Sequence, residues 1–378
     1  MTNAKKSDII ILIILKIKGR IQRKMARLEY YYFNQSRLMQ NFEAYAKLGI
    51  VCYPLKTNSS KELIAFLKPV LKEKGGFFLV STPWHYQSLL NIGVLPSEIA
   101  LINVLCDDEF IKKLYKEGVR AFSFDNLLSL KKFLEYADDR QCKISLKLNI
   151  SNAFKKHSHL GLEKADFIAG CKLIKDRFDE VGINFYLPHS IKYKNNILEK
   201  MLNYIIKNFQ SLGITFANIA GLKEASAISP NVISQFKSQL SLKQVYLEPG
   251  QYLLENVFDL CTNIIRFKEG KRKELIIQRG IYSGMLDCLL YKKQFGLYFI
   301  AGNRKIYLKK KAGHRLVSLY LFGGSGNSDD FLGRYYLTKE EMELLKTQSR
   351  IYLHNIGSYF EEFVIPSLCE FNPNVVNI

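Results

Sequence analysis

From about Tyr30 to Tyr246 the apolar positions of this chain repeat in one order: a short hydrophobic run, then a longer stretch with helical spacing. Ile50–Pro54 reads as a strand and Lys61–Lys74 as a helix. Gly76–Ser81 is followed by Trp84–Leu90, Ile99–Asn103 by Asp107–Glu117, and Ala121–Phe124 by Leu127–Tyr136. Lys143–Asn149 then precedes Lys164–Phe178, Phe185–Leu187 precedes Asn195–Leu212, and Phe216–Ile219 and Val245–Leu247 close the series. Continuous apolar runs between helices are the mark of parallel strands buried on both faces. Eight such runs predict a (β/α)8 barrel, with chemistry at the C-terminal strand ends.

After Pro249 the texture changes. Tyr, Phe, Ile and Val alternate with polar residues, and turns recur at Lys268-Glu269-Gly270, Gly302-Asn303 and Gly323 to Asn327. That predicts an all-β second domain. The expected division is a barrel over 28–252 and a β-domain over 253–378, with 1–27 joining the latter.

The chain has 378 residues and 48% hydrophobic content, enough for two globular domains. Its net charge of +20 comes mostly from lysines scattered along the whole length. With no nucleic-acid motif beside them, they read as a solvated surface rather than a nucleic-acid footprint. The seven cysteines include no C-x-x-C pair, which argues against a disulfide framework or a metal cluster and for a reducing, cytoplasmic setting. The run Ile9–Leu15 is too short to span a bilayer, and lysines and arginines follow it instead of a cleavage site. It reads as a buried strand or helix, with a peripheral membrane contact as the alternative and no stable membrane insertion.

Candidate chemistry starts where the first strand ends, at Tyr53-Pro54-Leu55-Lys56-Thr57-Asn58. A lysine at a barrel strand end is suited to covalent catalysis on a carbonyl. Further landmarks follow in order: Phe122-Ser123-Phe124-Asp125, Asn218-Ile219-Ala220-Gly221, Glu248-Pro249-Gly250-Gln251, Gly323-Gly324-Ser325-Gly326-Asn327 and Gly357-Ser358-Tyr359. This series, from about Tyr30 to the C-terminus, resembles the fold-type III decarboxylases dependent on pyridoxal 5'-phosphate, which act on ornithine, arginine or diaminopimelate.

The resemblance implies an alanine-racemase-like TIM barrel with a C-terminal β-sandwich or barrel domain, bound pyridoxal phosphate, no metal, and a homodimer sharing its active sites. Lys56 matches the lysine that bonds the cofactor. Glu248 matches the acid paired with its ring nitrogen, where the racemases of this fold type carry an arginine. Lys147 falls where the family has an arginine near the ring. Gly221, Ser190, Gly250 and Tyr359 match the phosphate-holding positions, whereas Gln251 replaces the family's arginine there and loses a charge-assisted phosphate contact. Leu187 aligns with the ring-stacking histidine, although His189 lies two residues later and a shifted loop would let it serve.

The departures bear on substrate. In relatives that form diamines, two acids hold the distal ammonium. Here one has become Lys292, after Tyr291, and the other has become Asn327, after Gly326 in place of a proton-donating cysteine. A free ammonium beside Lys292 meets like charge. The implied small-molecule substrate is therefore a capped diamino acid, such as the citryl-ornithine or citryl-diaminopropionate of polycarboxylate siderophore assembly. The alternatives are a decarboxylase of free ornithine, lysine or diaminopimelate, and a non-catalytic relative of antizyme-inhibitor type.

Overall fold

The structure, a computed structural model, describes residues 29–102, 106–150, 160–187, 196–222, 224–359 and 374–377. The apolar run Ile9–Leu15 lies outside them, as do His189 and Ser190. Contacts divide the chain into two units, one of Gln35–Glu255 and one of Met1–Asn34 with Asn256–Ile378. The expected barrel start at 28 is corrected by β1 (Tyr30–Phe33), whose backbone pairs antiparallel with a strand of the second unit.

The first unit is a ring of parallel strands. β2 (Ile50–Val51) and β3 (Tyr53–Pro54) are halves of one strand interrupted at Cys52. There follow β4 (Phe78–Val80), β5 (Ile99–Leu101), β6 (Ala121–Phe124), β7 (Lys143–Lys147), β8 (Glu180–Tyr186), β9 (Phe216–Ala220) and β10 (Gln244–Glu248), each parallel to the next. β3 pairs with β4 and β2 with β10, so the two halves shut the ring. At the break, the Cys52 N–H donates to Leu247 O at 2.8 Å and the Tyr53 N–H to Phe77 O at 2.9 Å. No helix among the described residues is long and apolar enough to cross a membrane.

The helices between strands follow local rules. Lys61–Lys74 buries Leu63, Ile64, Leu67 and Leu71 on one face and ends on the left-handed Gly75. Asp108–Lys116 is capped by the Asp107 carboxylate, which accepts from the Phe110 N–H at 2.7 Å. It starts with acids and ends with lysines, as the helix dipole favours. β8 begins five residues before the expected Phe185, because Gly182 and Asn184 interrupt its apolar pattern. Gly182 is required there: a Cβ would lie 2.3 Å from the Phe216 ring.

The second unit adds β11 (Phe258–Lys268), β12 (Lys273–Ile277), β13 (Gly296–Ala301), β14 (Arg304–Tyr307), β15 (Val317–Phe322), β16 (Phe331–Leu337), β17 (Arg350–His354) and β18 (Asn374–Asn377). With β1 they form one mixed nine-stranded sheet, in which β12–β15 and β1–β18 are the parallel pairs. A helix at Lys339–Lys346 starts with a capping box in which Thr338 and Glu341 bond each other's backbone N–H. Inside this unit Arg279, 1% exposed, forms an ion pair with the buried Glu29, and Thr262 donates to the same carboxylate at 2.5 Å.

Candidate active site

All strands of a closed parallel barrel aim alternate side chains into its lumen. Cross-strand register sets Lys147 of β7 beside Asn184 of β8, Asn184 beside Asn218 of β9, and Asn218 beside Tyr246 of β10. Ser123 of β6 lies beside Ser145 of β7. Cys52, Leu79, Ala100, Ile102, Ala121, Phe216 and Tyr246 form an apolar cluster.

Glu248 ends β10 and is buried, and it accepts from the Asn184 amide at 3.3 Å. Burial pushes its carboxyl above the usual carboxylate range; the charges of Lys147 and Lys56 and the Asn184 bond act against this. Lys147 shows the mirror effect. Burial lowers it, Glu248 pulls it back, Lys56 lowers it further and Asp125 opposes. Two lysines and two carboxylates thus feel one another at the mouth of the ring. Lys56 stands in the single turn Leu55–Thr57 after β3, next to Asn58, whose carbonyl accepts from the Tyr53 hydroxyl at 2.8 Å. Asp125 follows β6 and accepts from the Gly161 N–H at 3.4 Å.

Leu187 is buried at the end of β8. Gly221, just past β9, has φ +73°, and a Cβ there would lie 2.4 Å from Leu187 O. Bare backbone N–H groups at such a turn suit an anion. Gly250 is buried against the first-strand turn, and Gln251 is half-buried.

The remaining expected site residues belong to the second unit. Lys292 is exposed at φ +51°, just after the helix Asp287–Tyr291, which ends in Tyr291. Gly326 and Asn327 lie in the loop after β15. The Asn327 amide donates to the Tyr282 hydroxyl at 2.9 Å, and its carbonyl accepts from the Asp329 N–H at 3.0 Å. Tyr359 is half-buried, at φ +60°.

The sequence reading missed Asn184, Asn218 and Asp330, and it named Ser123 without giving it a role. Asparagine inside an apolar strand is the signal that was available for the first two. Asp330 is 1% exposed and accepts from the Ile281 N–H at 2.7 Å and the Ser325 N–H at 3.2 Å, which organises the Gly323–Asp330 loop.

The donor set fits pyridoxal phosphate. The side-chain oxygens of Thr57, Ser123, Asn184 (Oδ1) and Asn218 are buried with no hydrogen-bond partner among the described residues. Buried polar atoms of this kind are costly unless something polar meets them. Glu248 beside a lysine at a strand end, and a turn that admits no Cβ, complete the set.

Comparison with known proteins agrees. Residues 35–180 match the family described as pyridoxal-dependent decarboxylase, pyridoxal binding domain. Antizyme inhibitor 2 of Xenopus laevis is 21% identical over 272 residues, covering 63% of this chain and 58% of that protein. Ornithine decarboxylase of Saccharomyces cerevisiae is 20% identical over 258 residues, covering 64% and 54%. The matches thus span little more than half the length of these curated relatives. The solved lysine/ornithine decarboxylase of Vibrio vulnificus, complexed with cadaverine, superposes with a TM-score of 0.73 at 16% identity, covering 97% and 98% of the two chains. That likeness establishes the fold, a TIM barrel joined to a sheet domain. The match over residues 35–180 supports pyridoxal 5'-phosphate as the cofactor.

Proposed function

We propose that this chain removes the α-carboxylate of a diamino acid, most favourably one whose distal amine is capped. The observation that carries the reading is Glu248, a buried carboxylate shared among Asn184, Lys147 and Lys56 at the barrel mouth. Bound pyridoxal phosphate supplies an electron sink for the bond pair left when carbon dioxide departs. Lys56 would hold the cofactor covalently. Glu248 would pair with its ring nitrogen, and a carboxyl already pushed toward holding a proton shares one readily with that base. Lys147 would balance charge near the ring, and Leu187 would cover a face of it. Gly221, Gly250, Gln251, Ser190 and Tyr359 would hold the phosphate.

For substrate choice, Lys292 carries its charge in the open, and the Asn327 amide is taken up by Tyr282 and Asp329. Neither offers an anion to a free ammonium, which supports a capped or carboxylate-bearing tail of the citryl kind and a role in polycarboxylate siderophore assembly. Two further proposals are a homodimer with shared sites and a cytoplasmic setting. The six described cysteines, all free, support the latter.

The likeness to an antizyme inhibitor favours a second reading, a non-catalytic partner-binding protein. Lys56 and Glu248 oppose it, since a pure binder has no use for a covalent lysine with its electronic partner. The test is carbon dioxide release by the cofactor-loaded protein from free ornithine, lysine and diaminopropionate against their citryl forms. Release from a citryl substrate alone is expected. Release from a free diamino acid keeps the enzyme class and removes the capped tail. No release and no visible cofactor absorbance would favour the binder.

A further inference from the structure

A cavity of about 410 Å3 opens at the end of the barrel where the strands begin, opposite the end that carries Lys56 and Glu248. It lies against the seam at which β2 meets β10. Four lysines line it, each from a different place in the chain. Lys47 follows the helix Gln35–Ala46, and Lys74 ends the helix Lys61–Lys74. Lys237 stands in the last turn of the helix Pro230–Gln239, and Lys243 comes just before β10. No described aspartate or glutamate lines the cavity.

Backbone packing draws the four together. Gly49 lies against β10, where a Cβ would meet Val245 O at 2.7 Å. Gly76 lies against β2 in the same way, and a Cβ there would run into Val51 O. These approaches bring the turns that carry Lys47 and Lys74 onto the seam. The Leu242 N–H donates to Lys237 O at 2.9 Å and the Lys243 N–H to Thr215 O at 2.7 Å, which folds Lys237 back toward the start of β10. A lysine at a helix end ordinarily faces the negative end of the dipole. Here carbonyls at those ends are already bonded: Tyr45 O to the Leu48 N–H at 2.8 Å, Leu71 O to the Gly76 N–H at 2.9 Å and Phe236 O to the Leu240 N–H at 3.2 Å. Nor do acids neutralise the group. Lys47, Lys237 and Lys243 form no ion pair among the described residues. Lys74 has the exposed Glu73 at 3.4 Å, and Glu180, at the start of β8, is taken by Lys143. Four like charges around one cavity repel one another unless an anion enters.

We propose that this cavity is an anion site for a small molecule carrying two phosphate groups, bound across the seam that closes the ring. The volume falls within the range of small-molecule sites, roughly 300–1,000 Å3. Two phosphate groups carry roughly −3 to −4 at neutral pH, close to the charge of the four lysines. Each lysine presents a point charge with three donors that turn freely, which suits phosphate oxygens arriving from any side. Ile233 and Val245 supply apolar wall between the charges, against which the body of the ligand can lie. Lys47 and Lys74 stand on the β2 side of the seam, and Lys237 and Lys243 on the β10 side. A bound ligand therefore ties the first strand of the ring to the last. The site is independent of the chemistry at Lys56.

The test is a calorimetric titration of the full chain with inorganic pyrophosphate. Saturable binding is expected, weakened by about tenfold or more in the double variant Lys237→Gln/Lys243→Gln. A matched pair away from the cavity, Lys131→Gln/Lys172→Gln, should bind as the wild type does. All four of these lysines are exposed, so both variants keep the core intact, and urea unfolding without ligand checks this. Pyrophosphate should raise the urea midpoint of the wild type and leave that of Lys237→Gln/Lys243→Gln in place. Absence of saturable binding overturns the proposal. Binding that the cavity pair leaves intact overturns it too, since the ion would then sit elsewhere, as at the turn of Gly221. Equal weakening in both pairs overturns it as well, because that is diffuse attraction to a basic surface. Citrate binding as tightly as pyrophosphate overturns the assignment to phosphate.

Discussion

Replacing Gly221 with alanine tests the phosphate turn directly. At φ +73° a Cβ would lie 2.4 Å from Leu187 O and 2.7 Å from the Tyr186 ring, whereas real Cβ contacts stay above 3.0 Å. The obstructing oxygen is backbone, and the Leu187 N–H is itself bound to Ala220 O at 2.9 Å, so the ends of β8 and β9 must part to admit the methyl. Left-handed backbone costs alanine about 1–2 kcal/mol. Overpacking adds about 1–3 kcal/mol, and alanine's stiffer unfolded chain returns about 0.4–1 kcal/mol. The net loss is roughly 1–4 kcal/mol, divided between stability and cofactor binding. If cofactor affinity bore the whole of it, the loss would be about 5- to 1,000-fold. Urea unfolding of the cofactor-free chain and a spectrophotometric pyridoxal phosphate titration measure the two shares. If both stay within about 0.5 kcal/mol of wild type, the ordinary scatter of harmless substitutions, the account of this turn is wrong.

Three further outcomes are expected. Arg279→Met should destabilise the chain by about 3–5 kcal/mol, because it strands the buried Glu29 carboxylate; urea unfolding of the single variant and of the double variant with Glu29→Gln should show the second change recovering much of the loss. Burial alone would raise Asp259, but the His354 ring at 2.8 Å, the Asn355 N–H and the Tyr298 hydroxyl hold it below the ordinary carboxylate range. The stability it gives is present above the unfolded value near pH ~3.9 and lost as pH falls through the lower folded value, so Asp259→Asn should flatten the acid limb of stability against pH. Thr338→Ala removes half of a capping box and should cost about 1 kcal/mol by urea unfolding.

Much of this molecule is legible in its sequence because parallel strands and their helices differ so plainly in texture. The runs at Phe78–Val80, Ile99–Leu101 and Ala121–Phe124 contain nothing but apolar residues and one serine, and each is followed by a helix with its own cap or stop. Lys56, Lys147 and Glu248 are legible because they stand at strand ends in a recognisable order. The lumen is not. In a strand buried on both sides, hydrophobicity does not say which residue faces in, so Asn184 and Asn218 look like blemishes in β8 and β9 until register aligns them with Lys147. The helix Lys339–Lys346 was legible in Thr338-Lys339-Glu340-Glu341 but was masked by the aromatic alternation around it.

The break at Cys52 has a consequence for how the molecule comes into being. Lys56 is among the first residues of the barrel to be synthesised, yet the strand that presents it is clasped on one side by β10, almost the last. A chain interrupted before Gln244 would contain every other strand of the ring and still leave β2 as a bare edge. Contacts between such distant stretches form late and slowly, so during synthesis the reactive lysine waits for the far end of its own domain. Ring closure and the completion of the Lys56–Glu248 neighbourhood are then one event, because the strand that closes the ring is the strand that delivers Glu248.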